Sequence, residues 1–339
     1  MPYAGALCLL SCSVLAPPEQ PQWRYVCQDA GAGGYEAFPD VCRLRGGHLL
    51  CVFYAGYGHV SMPNKQLPKG GRICSATSKD GGLTWGEPRV VFDGPMDDRD
   101  PHIAQLRDGT LVCTFFSLFA KADGGLGGEG SFLVRSIDGG RTWDTEPTQI
   151  HKEWYLSAPV REMPDGTLLL GMYQEGPAGA WGGVARSTDG GLSWQEPVRI
   201  PSAADYYLDA ETDLVRLPNN RLFAALRSSK TNMAYSWSDD GGRTWTEAAD
   251  IGFPGHCPYL LRHSGGAILL AVRLPNTALH MSRDRCRTWS GPFEIDTVGG
   301  AYPSLTELPD GSVLAVYYEE GEGSSIRCRT LHIDRDRVY

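Results

Sequence analysis

The chain has 339 residues, a net charge of −9 and a hydrophobic share of 42%, which is ordinary for a soluble globular protein. Its 42 glycines and 23 prolines argue against a helix-rich fold, because both residues weaken helices and are used in tight turns. No run of Lys and Arg occurs, and no apolar stretch approaches the roughly 20 residues of a membrane span, so we expect neither nucleic acid nor a membrane as partner.

The first predicted element is an apolar segment at residues 6–16, which has about the length of a signal-peptide core. No Lys or Arg precedes it, so a retained β-strand is the preferred interpretation and secretion is the alternative. We therefore expect a cytoplasmic protein.

The ten cysteines show neither Cys-x-x-Cys nor zinc-type spacing. Cys42, Cys51, Cys74 and Cys113 lie in apolar alternating segments, where a free cysteine packs as a small core residue. The Gly-rich stretch at residues 124–130 is too irregular for a phosphate-binding loop. We expect no metal and no cofactor.

An eight-residue pattern recurs along the chain with the form Ser-x-Asp-Gly-Gly-x-Thr-Trp. It occupies residues 78–85, 136–143, 187–194 and 238–245, with a degraded copy at residues 282–289. The Asp can accept bonds from nearby backbone N–H groups, the glycines supply positive φ, and the Trp can pack on the core. The pattern predicts a structural hairpin without chemistry of its own.

A second repeat lies between these boxes and opens each unit with a short segment centred on Pro or Thr. The pairs are Phe38-Pro39, Asp100-Pro101, Ala158-Pro159, Glu211-Thr212, Cys257-Pro258 and Tyr302-Pro303. A turn and an apolar strand follow each pair, so six units predict an all-β, six-bladed propeller with four-stranded antiparallel blades. We expect one domain over residues 1–339, with residues 6–16 supplying the outer strand that the sixth unit lacks.

The repeated box is the Asp-box, and the chain resembles the sialidase superfamily of six-bladed propellers over essentially its whole length. The box is specific for this fold but not for an activity, since related propellers include other glycosidases, polysaccharide lyases and non-catalytic glycan binders. The resemblance implies an exo-acting glycoside hydrolase and an acidic glycan or sugar as its partner. It leaves the oligomeric state open.

The residues that open the inner strands should lie around the propeller axis, on the face opposite the Asp-boxes. Residues that end the second strands should join them there, and these are Tyr54, Tyr173, Arg227, Arg273 and Tyr317. The substrate is therefore expected at this axial face.

Tyr302 and Glu211 form the first candidate constellation. The resemblance implies that Tyr302 is a nucleophile and Glu211 its base. A neutral phenol is not repelled by an anionic sugar, but its pKa of about 10 means that it needs an adjacent base. The alternative is a Tyr that lines the pocket beside a Glu in an ordinary polar network.

Arg227 and Arg273 form the second constellation, because each follows an apolar strand and a guanidinium binds a carboxylate in a bidentate manner. The alternative is a structural salt bridge to Glu211 or another acid. The resemblance also implies a third arginine in an Arg-x-Pro segment of the first blade. Phe38-Pro39 follows an Ala instead, and Arg99 is the candidate substitute.

The proton donor is the second departure from the family pattern. The first-blade loop, residues 54–71, contains no Asp or Glu, which leaves His59 as its candidate acid. Asp100 is a further candidate, either as acid or as a sugar ligand, and a turn-capping role is its alternative. His102, His256 and Tyr173 are expected near the pocket as substrate-binding residues.

Three functions stay open on these grounds. The first is release of a terminal sialic acid or a related acidic sugar through Tyr302. The second is a propeller lyase or hydrolase that acts on uronic-acid polysaccharide with His and Tyr. The third is glycan binding without turnover.

Overall fold

The computed structural model describes residues 23–177, 179–203, 206–321, 323–335 and 337–339. It shows a six-bladed β-propeller in which each blade is a four-stranded antiparallel sheet, as the repeats predict. The described residues contain no helix, and so none that could cross a membrane. The first strands of four neighbouring pairs of blades contact one another, which places these strands around the axis.

The strands follow chain order, with one strand before the first blade. This strand is β1 (Trp23–Cys27). The first blade contains β2 (Tyr35–Arg43), β3 (Leu49–Gly56), β4 (Arg72–Ser78) and β5 (Arg89–Phe92). The second contains β6 (Asp97–Gln105), β7 (Leu111–Ala120), β8 (Leu126–Ser136) and β9 (Thr148–His151). The third contains β10 (Arg161–Glu162), β11 (Leu168–Gly176), β12 (Gly179–Ser187) and β13 (Val198–Arg199).

The remaining blades repeat this arrangement. The fourth contains β14 (Thr212–Arg216), β15 (Leu222–Leu226), β16 (Ala234–Ser238) and β17 (Ala249–Asp250). The fifth contains β18 (His256–Arg262), β19 (Ile268–Arg273), β20 (Thr277–Ser282) and β21 (Ser290–Asp296). The sixth contains β22 (Gly300–Glu307), β23 (Val313–Glu319) and β24 (Ser325–Leu331), and β1 completes it.

The ring closes on an N-terminal strand, but not on the expected one. Strand β1 pairs antiparallel with β24, with Trp23 opposite Arg329 and Arg24 opposite Cys328. We expected residues 6–16 to form this outer strand, and this is wrong, because β1 occupies the edge of β24. Residues 6–16 themselves lie outside the described part of the chain. An outer strand needs only one buried face. Strand β1 buries Val26 and Cys27 and exposes Arg24 and Tyr25, so it suits this edge without being strongly apolar.

The Asp-boxes are closed by local hydrogen bonds, as their sequence predicts. In the second box Thr142 donates from its hydroxyl to Asp138 Oδ2 at 2.7 Å, and Ser136 donates to Asp138 Oδ1 at 2.8 Å. Of the five box tryptophans only Trp245 is buried, at 7% exposure, and the others are half-buried. The boxes therefore anchor the core unequally, contrary to the uniform role that the sequence suggested.

The middle strands carry the core because each blade packs between two others. Every residue of β3 is buried, and the same double-sided burial makes these strands continuous apolar runs. Among the described cysteines all eight are free, and all but Cys42 are buried. This agrees with their interpretation as core residues.

The inner strands share a bulge at the residue before Pro. Phe38, Asp100, Cys257 and Tyr302 all have φ between 51° and 53°, and each lies where the pairing with the second strand shifts register. A positive φ is uncommon for residues with a side chain and is costly for bulky ones. Its recurrence at one position in four blades shows that the fold holds these side chains in a fixed direction at the axis.

Candidate active site

Tyr302 and Glu211 meet at the axis although 91 residues separate them in sequence. The Tyr302 hydroxyl donates to Glu211 Oε1 at 2.7 Å. Glu211 has 0% exposure and also accepts the backbone N–H of Cys257 at 3.2 Å through Oε2. The structure thus brings together the predicted nucleophile and the predicted base in hydrogen-bond contact.

The surroundings of Tyr302 keep its phenol protonated. Burial, followed by the nearby Glu211 carboxylate, raises the pKa of Tyr302 well above its ordinary value. Free phenolate is therefore not available near neutral pH, and the phenol becomes nucleophilic only if its proton moves to Glu211 as it attacks. The short contact to Oε1 provides that route.

Arg227 is held by the same carboxylate. Its Nη1 donates to both oxygens of Glu211, at 3.0 and 3.1 Å. Burial works against the charge of Arg227, but the Glu211 carboxylate outweighs it and raises the pKa of Arg227 above its ordinary value. The structural salt bridge that the sequence left as an alternative is thus present, and Glu211 neutralises this cation.

Arg273 has a different environment. Its Nη2 lies 3.5 Å from Nδ1 of His256, and within the described ranges no carboxylate lies within ion-pair distance of it. Burial, followed by the Arg227 guanidinium, lowers the pKa of His256, so this imidazole is neutral and cannot repel Arg273. Arg273 is half-buried and is the site cation that lacks a carboxylate partner.

Arg99 is buried and already neutralised. Its guanidinium lies 4.9 Å from the ring centre of Phe38, 3.6 Å from Asp97 Oδ2 and 3.4 Å from Asp100 Oδ1. Asp100 also accepts the Ser157 hydroxyl at 2.8 Å. Arg99 therefore lies in the site, but two carboxylates engage it before any ligand arrives.

His59 lies at the mouth of the site beside Phe38. The two ring centres are 5.3 Å apart, and Nε2 of His59 is 3.4 Å from Nη2 of Arg99. Phe38 also contacts the ring of Tyr302, at 4.9 Å between centres. The predicted proton donor and the predicted nucleophile therefore share one aromatic neighbour.

Sequence reasoning missed three residues of this site: Tyr35, Tyr318 and Glu320. Tyr35 donates from its hydroxyl to Glu320 Oε1 at 2.8 Å and lies 3.2 Å from His59 Nδ1. Tyr318, rather than the expected Tyr317, faces Phe38 and Tyr302. Side chains alternate along a strand, and Tyr317 points to the other face, where it donates to Asp296. Counting alternate side chains along β23, starting from its pairing with the strand that contains Pro303, would have pointed to Tyr318 instead of Tyr317.

Two further predicted binding residues, His102 and Tyr173, also lie near Tyr302 and Glu211. His102 is buried, with Nδ1 3.2 Å from Asp40 Oδ2, and none of the described residues forms a hydrogen bond with its Nε2. It lines a cavity of about 10 Å³, which has room for about one water. Tyr173 lies on the third blade with its ring 5.9 Å from that of Tyr155. His102 and Tyr302 thus line one cavity. Burial, followed by the nearby Asp100 and Glu211 carboxylates, raises the pKa of Tyr173 well above its ordinary value, so Tyr173 lies within the axial site.

A larger groove of about 690 Å³ lies elsewhere, between the first and second blades. Residues on it include His48, Lys79, Arg89 and Arg141, which are exposed or half-exposed. None of the residues discussed at the axis lines it. The chemistry-bearing groups converge at the axis instead.

Comparison with known proteins places this geometry in a family. Residues 71–315 match the family described as the BNR repeat-like domain. The chain is 24% identical over 353 residues to a sialidase from Micromonospora viridifaciens, which covers 88% of this chain and 53% of the relative. The chain therefore spans about half the length of that curated relative.

Solved structures show the same fold. One is a protein of unknown function from Dyadobacter fermentans, 23% identical with a TM-score of 0.79, covering 93% of this chain and 100% of that one. Another is the NanB sialidase from Streptococcus pneumoniae, 15% identical with a TM-score of 0.72, covering 94% and 71%. At these identities the likeness extends to the fold.

Proposed function

This chain belongs to the BNR repeat-like domain family, and from that premise and the axial site we propose that it is an exo-acting glycoside hydrolase. Its substrate is a glycan that ends in sialic acid or a related acidic sugar. The observation that carries the proposal is the 2.7 Å hydrogen bond from the Tyr302 hydroxyl to Glu211 Oε1. A phenol and a buried carboxylate in this contact form a nucleophile and its base.

The first half-reaction forms a bond between Tyr302 Oη and the anomeric carbon. The phenol proton moves to Glu211 as this bond forms, and the bond from the anomeric carbon to the leaving oxygen breaks. The leaving oxygen takes a proton from an acid, for which His59 and Asp100 are the candidates. Arg227 stays charged beside Glu211 in the resting site and donates to both of its oxygens.

The acidic group of the sugar requires a cation that is free to bind it. Arg273 fulfils this condition, because among the described residues no carboxylate pairs with it. Arg227 offers its Nη2, since the contacts to Glu211 use Nη1. Two guanidiniums from neighbouring blades can therefore hold one carboxylate. Arg99 is already paired with Asp97 and Asp100. It can therefore donate a hydrogen bond to a hydroxyl of the sugar, but it does not add a second unpaired positive charge.

The proposal is tested by incubating the protein with a panel of aryl glycosides of sialic acid, related nonulosonic acids and uronic acids. Release of the free acidic sugar by the wild-type protein, together with a glycosylated Tyr302 peptide in mass spectrometry after a fluorinated analogue is added, supports it. Formation of an unsaturated, ultraviolet-absorbing sugar supports the lyase alternative instead. Binding without any product points to a non-catalytic glycan binder.

A further inference from the structure

We propose that His59 is the acid/base residue of this site and that Tyr35 and Glu320 are its positioning residues. The inference rests on the proposed glycoside hydrolase function and identifies which side chain handles the proton of the leaving group. It is carried by a chain of contacts that joins four side chains from four parts of the sequence.

The hydrogen bonds around His59 fix its tautomer. An arginine Nη2 can only donate, so Nε2 of His59 must accept from Arg99, at 3.4 Å. The ring proton is then on Nδ1, which donates to the Tyr35 hydroxyl at 3.2 Å. Tyr35 in turn donates its own proton to Glu320 Oε1 at 2.8 Å. The lone pair of Nε2 is thereby directed towards Arg99 and the axis.

Glu320 is itself held from a second side. The Tyr318 hydroxyl donates to its other carboxylate oxygen, and Tyr318 packs against Phe38 and Tyr302. Two phenols thus fix the orientation of one carboxylate at the rim. Proton-transfer sites commonly contain a carboxylate that orients the imidazole of a histidine through hydrogen bonds.

Exposure separates His59 from the other candidate acid. The His59 side chain is 58% exposed, so a leaving group that extends from the pocket into solvent can reach it. Asp100 is 3% exposed and is bound by Ser157 and Arg99. Asp100 therefore serves to neutralise Arg99, while His59 stays accessible.

The charged and polar groups that face His59 come from four elements. Arg99 and Asp100 on β6, Arg273 on β19 and Glu320 after β23 all act on it, and the Tyr35 hydroxyl on β2 contacts it. Burial, followed by Arg99, lowers the pKa of His59 below its ordinary 6.5, whereas Asp100 and Glu320 oppose that change. The protonated, acid-competent form consequently dominates below that lowered pKa and disappears as pH rises through it.

The proton balance of the cycle closes on this residue. In the first step protonated His59 gives its Nε2 proton to the leaving oxygen as Tyr302 attacks, and it becomes neutral. In the second step neutral His59 takes a proton from water through Nε2 while the water oxygen bonds to the anomeric carbon. The bond from Tyr302 to the sugar breaks, the phenolate recovers its proton from Glu211, and His59 is again protonated.

The kinetic test compares two glycosides of the same acidic sugar, one with an alkyl and one with a nitrophenyl leaving group. In the wild type, kcat/KM for the alkyl glycoside falls as pH rises through the pKa of His59, and the nitrophenyl glycoside shows a weaker dependence. His59→Gln should lose roughly a hundredfold or more on the alkyl glycoside and less than about tenfold on the nitrophenyl one. Glu320→Gln should move the pH profile to lower pH, because the carboxylate that supports the imidazolium loses its charge.

Glu319→Gln is the matched control, since Glu319 is the neighbouring residue and pairs with Arg327 instead. It should keep the wild-type pH profile and leaving-group dependence. Equal losses on both glycosides, or a Glu320→Gln profile that does not move, would overturn the inference.

A measurement on the free protein separates this inference from the proposed function. Long-range proton–nitrogen NMR of the histidines, assigned with His59→Gln, should show His59 with its proton on Nδ1. Tyr35→Phe should shift the population towards the Nε2–H tautomer, and Glu320→Gln should lower the pKa of His59. An Nε2–H tautomer in the wild type overturns the positioning role whatever the activity. Absence of turnover on every glycoside overturns the proposed function, and with it the acid/base role of His59.

Discussion

At the scale of the residue, Glu211 joins the two functions of the site. The same carboxylate accepts from Tyr302 and from Arg227, so it contacts the proposed nucleophile and holds one of the two candidate arginines. It has 0% exposure, and a buried carboxylate needs partners to remain charged. The two arginines should therefore differ in what they do for stability.

Arg227→Ala should lower the free energy of unfolding by about 2–4 kcal/mol, because it leaves the Glu211 charge without its counter-ion. Arg273→Ala should cost less than about 1 kcal/mol, since this residue has no such partner. Both variants should weaken binding of the acidic sugar, and Lys should restore it poorly at either position. Urea unfolding and calorimetric titration measure the two effects. Equal stability of the two variants would contradict the pairing.

His280 gives the fold a dependence on pH away from the site. It is buried, stacks on Phe253 with ring centres 3.8 Å apart, and burial lowers the pKa of His280 to about 4. The unfolded chain protonates this side chain near pH 6.5, so its contribution is complete above that value and is lost as pH falls towards 4. The melting temperature of His280→Phe should consequently fall less than that of the wild type over this interval. The exposed His48 is the control, and His48→Gln should follow the wild type.

At the scale of the element, two local devices determine the blades. The Asp-box closes each outer hairpin through its own side chains, and the bulge before Pro turns one side chain of the inner strand to the axis. The degraded fifth box still makes the bond from the Thr288 hydroxyl to Asp284, at 2.6 Å. It does so although Arg285 and Cys286 both have φ of 64°, where the other boxes use glycine.

The boxes should differ in stability according to the burial of their tryptophans. Trp245→Ala removes a buried indole and should cost about 3–5 kcal/mol. Trp143→Ala removes a half-buried one and should cost about 1–2 kcal/mol. Activity per folded molecule should be unchanged in both. Chemical denaturation gives the order, and a larger loss at Trp143 would show that burial does not govern the role of the box.

At the scale of the whole molecule, the sequence predicts the ring because local turn chemistry repeats with it. Asp-boxes and X-Pro segments mark the blade boundaries, so the six blades and the axial position of Tyr302 and Glu211 follow without tertiary information. Ion-pair partners do not follow in this way, although they are local. Arg227 pairs with Glu211 across one hairpin of the fourth blade, and Arg99 pairs with Asp97 and Asp100 of its own strand β6. Sequence proximity permits these pairs but does not distinguish them from a role in substrate binding. Tyr35 and Glu320 were missed because their direction depends on strand register rather than on a motif.

Ring closure should depend on β1. A chain that lacks residues 1–27 should melt at a lower temperature than one that lacks residues 1–20, because only the first loses the pairing with β24 and the contact of Trp23 with the Arg327 guanidinium, 3.9 Å from the ring centre. Trp23→Ala in the longer chain should fall between them. Identical melting of the two truncated chains would show that β1 contributes nothing to closure.

The central claim is that Tyr302 attacks the sugar with Glu211 as its base. The direct measurement is the kinetics of Tyr302→Phe on the acidic glycoside that the wild-type protein hydrolyses best, with ligand binding and melting temperature recorded on the same sample. The account predicts a loss of more than about a thousandfold in kcat, with sugar binding retained and a stability cost near 1 kcal/mol from the lost hydrogen bond. A folded Tyr302→Phe protein that turns over the glycoside at the wild-type rate would contradict it.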